Sequence, residues 1–179
     1  MNAYLTALRP AQDSTSRASI VRSALRAFVL ALAATLATFG LTAVASPAQA
    51  ASSAVLQMSA ETYESRVQAH VNRKRAARGL PKLRLESCTD GTAERWASHL
   101  ASTGEFYHQS MMTIINKCDA YYAGETLGRG AISPKKLVYL WMHSPAHKDV
   151  LLSRHARRIG VGSYLSGGQW VTAANFTKF

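Results

Sequence analysis

Acidic side chains are scarce in this chain of 179 residues: ten Asp and Glu stand against 21 Lys and Arg, for a net charge of +11. Cysteine is scarcer still, with two residues, Cys88 and Cys118, which allow one disulfide and exclude a multiply bridged scaffold. Length leaves no room for a second core of ordinary size. No H-E-x-x-H segment is present, so the commonest zinc-protease signature is missing, and no serine stands in a G-x-S-x-G context, so a serine hydrolase of that type has no support. Past residue 50 there is neither an internal repeat nor a low-complexity tract. What is present is 47% hydrophobic and 17% charged, a folded rather than a disordered composition.

The first fifty residues read as an export address. Arg17, Arg22 and Arg26 form a positive start, Ala27 to Val44 are all apolar, Gly or Thr, and Ser46-Pro47 precede the small-residue triplet Ala48-Gln49-Ala50. Cleavage after Ala50 is predicted. The alternative is an uncleaved anchor, since the run approaches spanning length; the dilution by Ala, Thr and Gly and the helix-breaking Ser-Pro favour cleavage. No twin-Arg pair occurs in this segment, which points to general secretion. Loss of residues 1–50 removes four Arg and one Asp and leaves a net charge of +8. Outside the cytoplasm so basic a surface meets anionic envelope polymers and lipid headgroups rather than nucleic acid. In an oxidising compartment Cys88 and Cys118 are predicted to pair, closing a loop of about thirty residues worth roughly 3–4 kcal/mol in the chain-entropy picture.

Residues 51–58 read as an Ala/Ser linker and 59–179 as the folded domain. Ser59 caps a first helix whose face is Tyr63, Val67 and Val71, with Gly79 and Pro81 ending it. The cluster Arg73, Lys74, Arg75 and Arg78 reads as a solvated face near the helix C-terminus. A second helix starts between Ser87 and Asp90 and ends before Gly104, its core stripe being Ala93, Trp96, Ala97 and Leu100. The long segment 105–123 either holds a short helix near Met111 to Asn116 or lines a site. Ser133-Pro134 and Ser144-Pro145 start two more helices, and residues 159–164 and 169–176 flank Ser166-Gly167-Gly168 as a hairpin. Helices first and strands last indicate an α+β fold with an antiparallel sheet.

Four segments together resemble the CAP superfamily, which groups cysteine-rich secretory proteins, venom antigen 5 and plant pathogenesis-related proteins with short bacterial members. They are Val71-Asn72-Arg73 through Leu80 with Leu83; Phe106-Tyr107-His108; Gly124-Glu125-Thr126-Leu127, with Thr126 where the family carries Asn; and Trp141-Met142-His143-Ser144-Pro145-Ala146-His147, followed by Ile159-Gly160-Val161-Gly162. The resemblance implies a three-layer α-β-α sandwich with a central antiparallel sheet. It also implies a cleft holding His108, Glu125, Ser144 and His147, in which His108, Glu125 and His147 are the candidate ligands of a divalent cation such as zinc. Ser144 stands where animal members carry a second carboxylate, which weakens any such site.

Two readings of the trio stay open. A His-His-Glu set leaves a tetrahedral position for water or a guest; equally, Glu125 hydrogen-bonded to the imidazoles would pin a loop. The spacings, 17 and 22 residues, are no metal signature. His143 is a candidate for the cleft rim, and Met111 to Ile115 for a greasy lining. The expected function is a secreted, monomeric, non-catalytic binding module for a lipid, peptide or anionic envelope polymer, touching membranes only transiently. The alternative is a metal-assisted hydrolase of peptide or wall polymer. A further basic face, Arg154, Arg157 and Arg158, could dock on anionic polymer.

Overall fold

A computed structural model describes residues 53–179; the expected export signal of residues 1–50 lies outside them. From Ala60 onward five helices and four strands follow one another: α1 (Ala60–Ala76), β1 (Arg84–Leu85), α2 (Ser87–Thr103), α3 (Met111–Cys118), β2 (Tyr122–Gly130), α4 (Pro134–Met142), α5 (Pro145–Leu151), β3 (Arg158–Ser166) and β4 (Gln169–Lys178).

Local chemistry explains most of the boundaries. The Ser59 side chain accepts from the Thr62 amide at 3.2 Å and opens α1, while Tyr63, Val67 and Val71 are fully buried along one stripe. Glu86 caps α2, its carboxylate accepting from the amides of Cys88 and Thr89 at 3.0 and 2.7 Å. Pro134 and Pro145 sit in the first turns of α4 and α5, where no amide donor is needed. The β3–β4 turn places Gly167 and Gly168 at φ +55° and +72°, the mirror-image turn that suits the twist of a hairpin. Cys88 and Cys118 form the expected disulfide, which ties the start of α2 to the end of α3.

The strand order is β1-β3-β4-β2. β4 pairs antiparallel with both β2 and β3, but β1 pairs parallel with β3, so the sheet is mixed and the expected wholly antiparallel sheet is corrected. The strands also do not all come last. β1 has only two residues, and three glycines and a glutamate break any alternation in β2.

On one face, Ile159, Val161, Trp170, Ala174 and Phe176 join a core with Tyr63, Val67 and Val71 of α1 and with Leu137, Val138 and Trp141 of α4. On the other, Leu127, Val171 and Ala173 meet Ala93, Ala97 and Leu100 of α2. That second contact is close because Gly160 and Gly162 face α2: a Cβ on either would overlap the helix backbone at Asp90 and at Ala93 and Glu94.

Two expectations change. Residues 55–58 do not behave as a linker, since Val55, Leu56 and Met58 pack on the core and Trp170 Nε1 donates to the Val55 carbonyl at 3.0 Å. The basic run near the end of α1 is not one solvated face. Arg75 is fully buried, and its guanidinium donates to the carbonyls of Pro81, Leu151, Ser153 and Ala156 at 3.0, 2.8, 2.9 and 3.4 Å. It continues the stripe of Tyr63, Val67 and Val71 by one more turn, which is why it points inward.

Candidate functional site

β2 carries Glu125 on the α2 side of the sheet, directly opposite Asn175 of β4. Its side chain is fully buried, and three donors reach it. His108 Nδ1 lies 2.6 Å from Oε1, the Gln109 amide donates to Oε1 at 3.3 Å, and the Gln109 side-chain amide donates to Oε2 at 2.6 Å. Gln109 also reaches Asn175 Oδ1 at 3.4 Å, and Asn175 donates to Thr92 Oγ1 at 3.0 Å. A polar chain thus runs from α2 through β4 to the segment that presents His108, whose own side chain is 54% exposed. Burial raises the Glu125 carboxyl above its usual range, against the opposing pull of Gln109 and His108.

The second part of the site comes from α4, α5 and β2. Ser144 and His147, at the start of α5, line a groove of about 330 Å³ with Phe106, Leu127, Ile132, Leu140 and Trp141. Burial, and then the charge of nearby His108, hold the His147 imidazole below its ordinary pKa. His108 and Glu125 are therefore a bonded pair, Ser144 and His147 share one groove wall, and the two imidazoles lie within electrostatic reach of each other.

The expected metal set fares differently. Among the described residues no three His, Cys, Asp or Glu side chains form a group able to hold an ion. The Glu125 carboxylate already accepts hydrogen bonds on both of its oxygens. It stands behind His108, in the position from which a carboxylate orients an imidazole and leaves Nε2 as the free nitrogen. His143 does not line the groove: its Nδ1 lies 2.7 Å from the Tyr139 carbonyl and its ring 3.9 Å from the Tyr139 ring. Met112 is exposed and Ile114 buried, and neither lines the groove.

Gln109 and Asn175 are site residues that the sequence reading misses. The available signal was in β4, where Asn175 and Thr177 put polar groups on a face that Val171 and Ala173 make apolar.

A bonded His-carboxylate pair beside an apolar groove, on an α+β fold with a mixed four-stranded sheet, defines a domain of the secretory CAP type. The family model for CAP, the cysteine-rich secretory protein family, matches residues 68–177, and the chain belongs to that family. It is similar to the "Uncharacterized protein YkwD" of Bacillus subtilis (strain 168), with 28% identity over 119 residues, 63% of this chain and 46% of that protein. The chain thus spans about half the length of this curated relative. Among solved structures it is similar to an extracellular SCP-domain protein from Bacillus anthracis (TM-score 0.60, 19% identity, 67% of this chain and 41% of that one). It is also similar to an outer surface protein of Borrelia burgdorferi (TM-score 0.58, 22% identity, 63% of this chain and 89% of that one). At these identities the likeness is one of fold.

Proposed function

We propose that this CAP domain is a secreted, non-catalytic binding module, built as a three-layer α-β-α sandwich, that retains a ligand in the cleft between the His108–Glu125 pair and the Ser144–His147 wall. The observation that carries this reading is the burial and bonding of Glu125. The Glu125 side chain is fully buried and three donors hold its two oxygens, so it is not presented to a substrate as a base and acts as a clamp on the loop that displays His108. Export is supported by the disulfide and by relatives described as extracellular or outer-surface proteins. Of a lipid, a peptide and an envelope polymer, the groove favours an amphiphilic lipid. Its walls are Phe106, Leu127, Ile132, Leu140 and Trp141, and its polar groups are Arg129, Ser144 and His147.

The purified chain, incubated with an envelope lipid extract and washed, should retain lipid detectable by mass spectrometry. Leu140→Glu, a change at an exposed groove residue, should lower retention at least fivefold without shifting the melting temperature. Hydrolysis of peptide or wall polymer, abolished by chelator and by His147→Ala in a folded protein, would replace this reading with a metal-assisted hydrolase. Zinc added in equimolar amount should be lost on dialysis, because only two imidazoles are free to hold it. Stoichiometric zinc retained by the chain and absent from a His108→Ala, His147→Ala variant would overturn that expectation.

A further inference from the structure

α1 and α4 enclose a second groove, of about 480 Å³, on a different part of the surface. Its rim is cationic, with His70, Arg73 and Lys74 on α1 and Lys135 on α4, and its floor is the buried Val138, flanked by the exposed Ala77 and Tyr139. Lys136 adds a further charge 4.8 Å from the Tyr139 ring.

No carboxylate among the described residues pairs with these cations. Among the described residues the ion pairs are made by His99 and His108, and no Lys or Arg lies within ion-pair distance of a carboxylate. The carboxylates are used otherwise: Glu64, Glu86, Asp90 and Glu125 all accept from backbone amides. Arg73 Nη2 lies 2.8 Å from His70 Nδ1, so the guanidinium donates to an unprotonated ring nitrogen. Burial, followed by Arg73, Lys135, Lys74 and Arg66, keeps that imidazole below its ordinary pKa. Like charges gathered from two helices repel, and the repulsion is relieved when an anion enters.

We infer that the α1–α4 groove is a docking site for a linear polymer carrying phosphate groups between uncharged spacers. The rim supplies cations from two sides for successive phosphates, and the apolar floor takes the spacer between them. A bare phosphate ion leaves that floor unexplained. A planar bilayer rests on a rim and does not reach the floor of a concavity. None of the rim cations lines the cleft of Ser144 and His147, so this site does not depend on the lipid reading.

The test is calorimetric titration of the purified chain with poly(glycerol phosphate) oligomers at low and physiological salt. Saturable binding is expected, with affinity falling as salt rises and with the His70 ring signals shifting in NMR spectra. The triple change Arg73→Ala, Lys74→Ala, Lys135→Ala removes only side chains that are exposed or half-buried, and should weaken binding at least tenfold with an unchanged melting temperature. Lys135→Glu alone, a single reversal on an exposed residue, should weaken it severalfold and serves as the second variant. Full affinity in the triple variant would overturn the proposal. So would equal affinity for inorganic phosphate, or binding to phosphatidylglycerol vesicles or duplex DNA that exceeds binding to the polymer.

Discussion

On the sheet face toward α1 and α4 the buried side chains are large, Tyr63, Trp141, Trp170 and Phe176 among them. On the face toward α2, Leu100, Leu127 and Val171 sit among small or polar residues: Ala93, Ala97 and Ala173 beside Gly160 and Gly162, with Thr89, Thr92, Asn175 and Thr177 completing the contact. The first face gains stability from area, at roughly 1.5–3 kcal/mol per large side chain removed from water. The second gains it from close backbone approach, which leaves room for short polar groups that bond to one another. Thr89 Oγ1 lies 2.8 Å from Thr177 Oγ1, and Thr92 receives the Asn175 amide. The site sits on the second face because a buried carboxylate such as Glu125 needs fixed donors, and large apolar residues offer none.

The strongest way to break this contrast is Gly162→Val. The new Cβ meets backbone at Ala93 and Glu94, which cannot yield as the end of a side chain would, so α2 must move off the sheet. Overpacking of this kind costs about 3 kcal/mol or more, and the soluble folded fraction in urea should collapse. The same change at a position open to solvent would be nearly silent. A folded Gly162→Val variant with native stability would show that α2 does not rest on the strand.

The large-residue face has its own exception, Arg75. Arg75→Leu supplies an apolar side chain but leaves the carbonyls of Leu151 and Ala156 without their partner. At about 1–3 kcal/mol for each unsatisfied buried group, a loss of about 3 kcal/mol is expected in denaturant midpoints. Arg75→Lys should recover only part of it, since one ammonium cannot span four acceptors. Reduction of the Cys88–Cys118 bridge comes next, at about 3 kcal/mol by loop closure. It should raise amide exchange first in α3, which has only Ile114 and Cys118 buried.

How much of this was legible in the sequence follows the same division. Tyr63, Val67 and Val71 recur at helical spacing because one side of α1 meets a thick core, and the helix, its cap and its end are all readable. His108, Glu125, Ser144 and His147 were recognisable through family segments, and the reading in which Glu125 bonds the imidazoles and pins a loop holds for His108. The partner that completes the clamp, Gln109, has no signature of its own. β1 and β2 were hidden for a physical reason: β1 has two residues, both exposed, β2 mixes glycine and polar residues with the buried Leu127, and their place is set by the ladder with β3 and β4 rather than by any pattern of their own. Arg75 was misread because charge overrode spacing, although it stands four residues after Val71.

Between the two faces runs the edge of β3 beyond its short pairing with β1, where the smallest effect is expected. The Val161 amide donates to Asp90 at 2.8 Å and the Ser163 amide to Glu64 at 2.6 Å, so carboxylates stand where a neighbouring strand would. Burial, reinforced by Asp90, Glu94 and Glu61 and opposed by the Ser163 amide, pushes the Glu64 carboxyl up to about 7. The folded chain therefore keeps this proton to higher pH than the unfolded chain does. Stability contributed by the group is complete below about pH 4.5, declines as pH rises, and is gone once pH passes about 7. The decline should amount to about 1–2 kcal/mol after allowance for solvent screening at a half-buried site. Glu64→Gln keeps an acceptor for Ser163 and cannot ionise, so it should match the parent at pH 4.5 and exceed it at pH 8. Asp90, raised in the same direction by burial, leaves a residual slope in the variant. Melting curves at the two pH values decide the matter: a parent more stable at pH 8 than the Gln variant would mean that the carboxylate is a strong cap on the strand edge, with its charge favoured there rather than penalised.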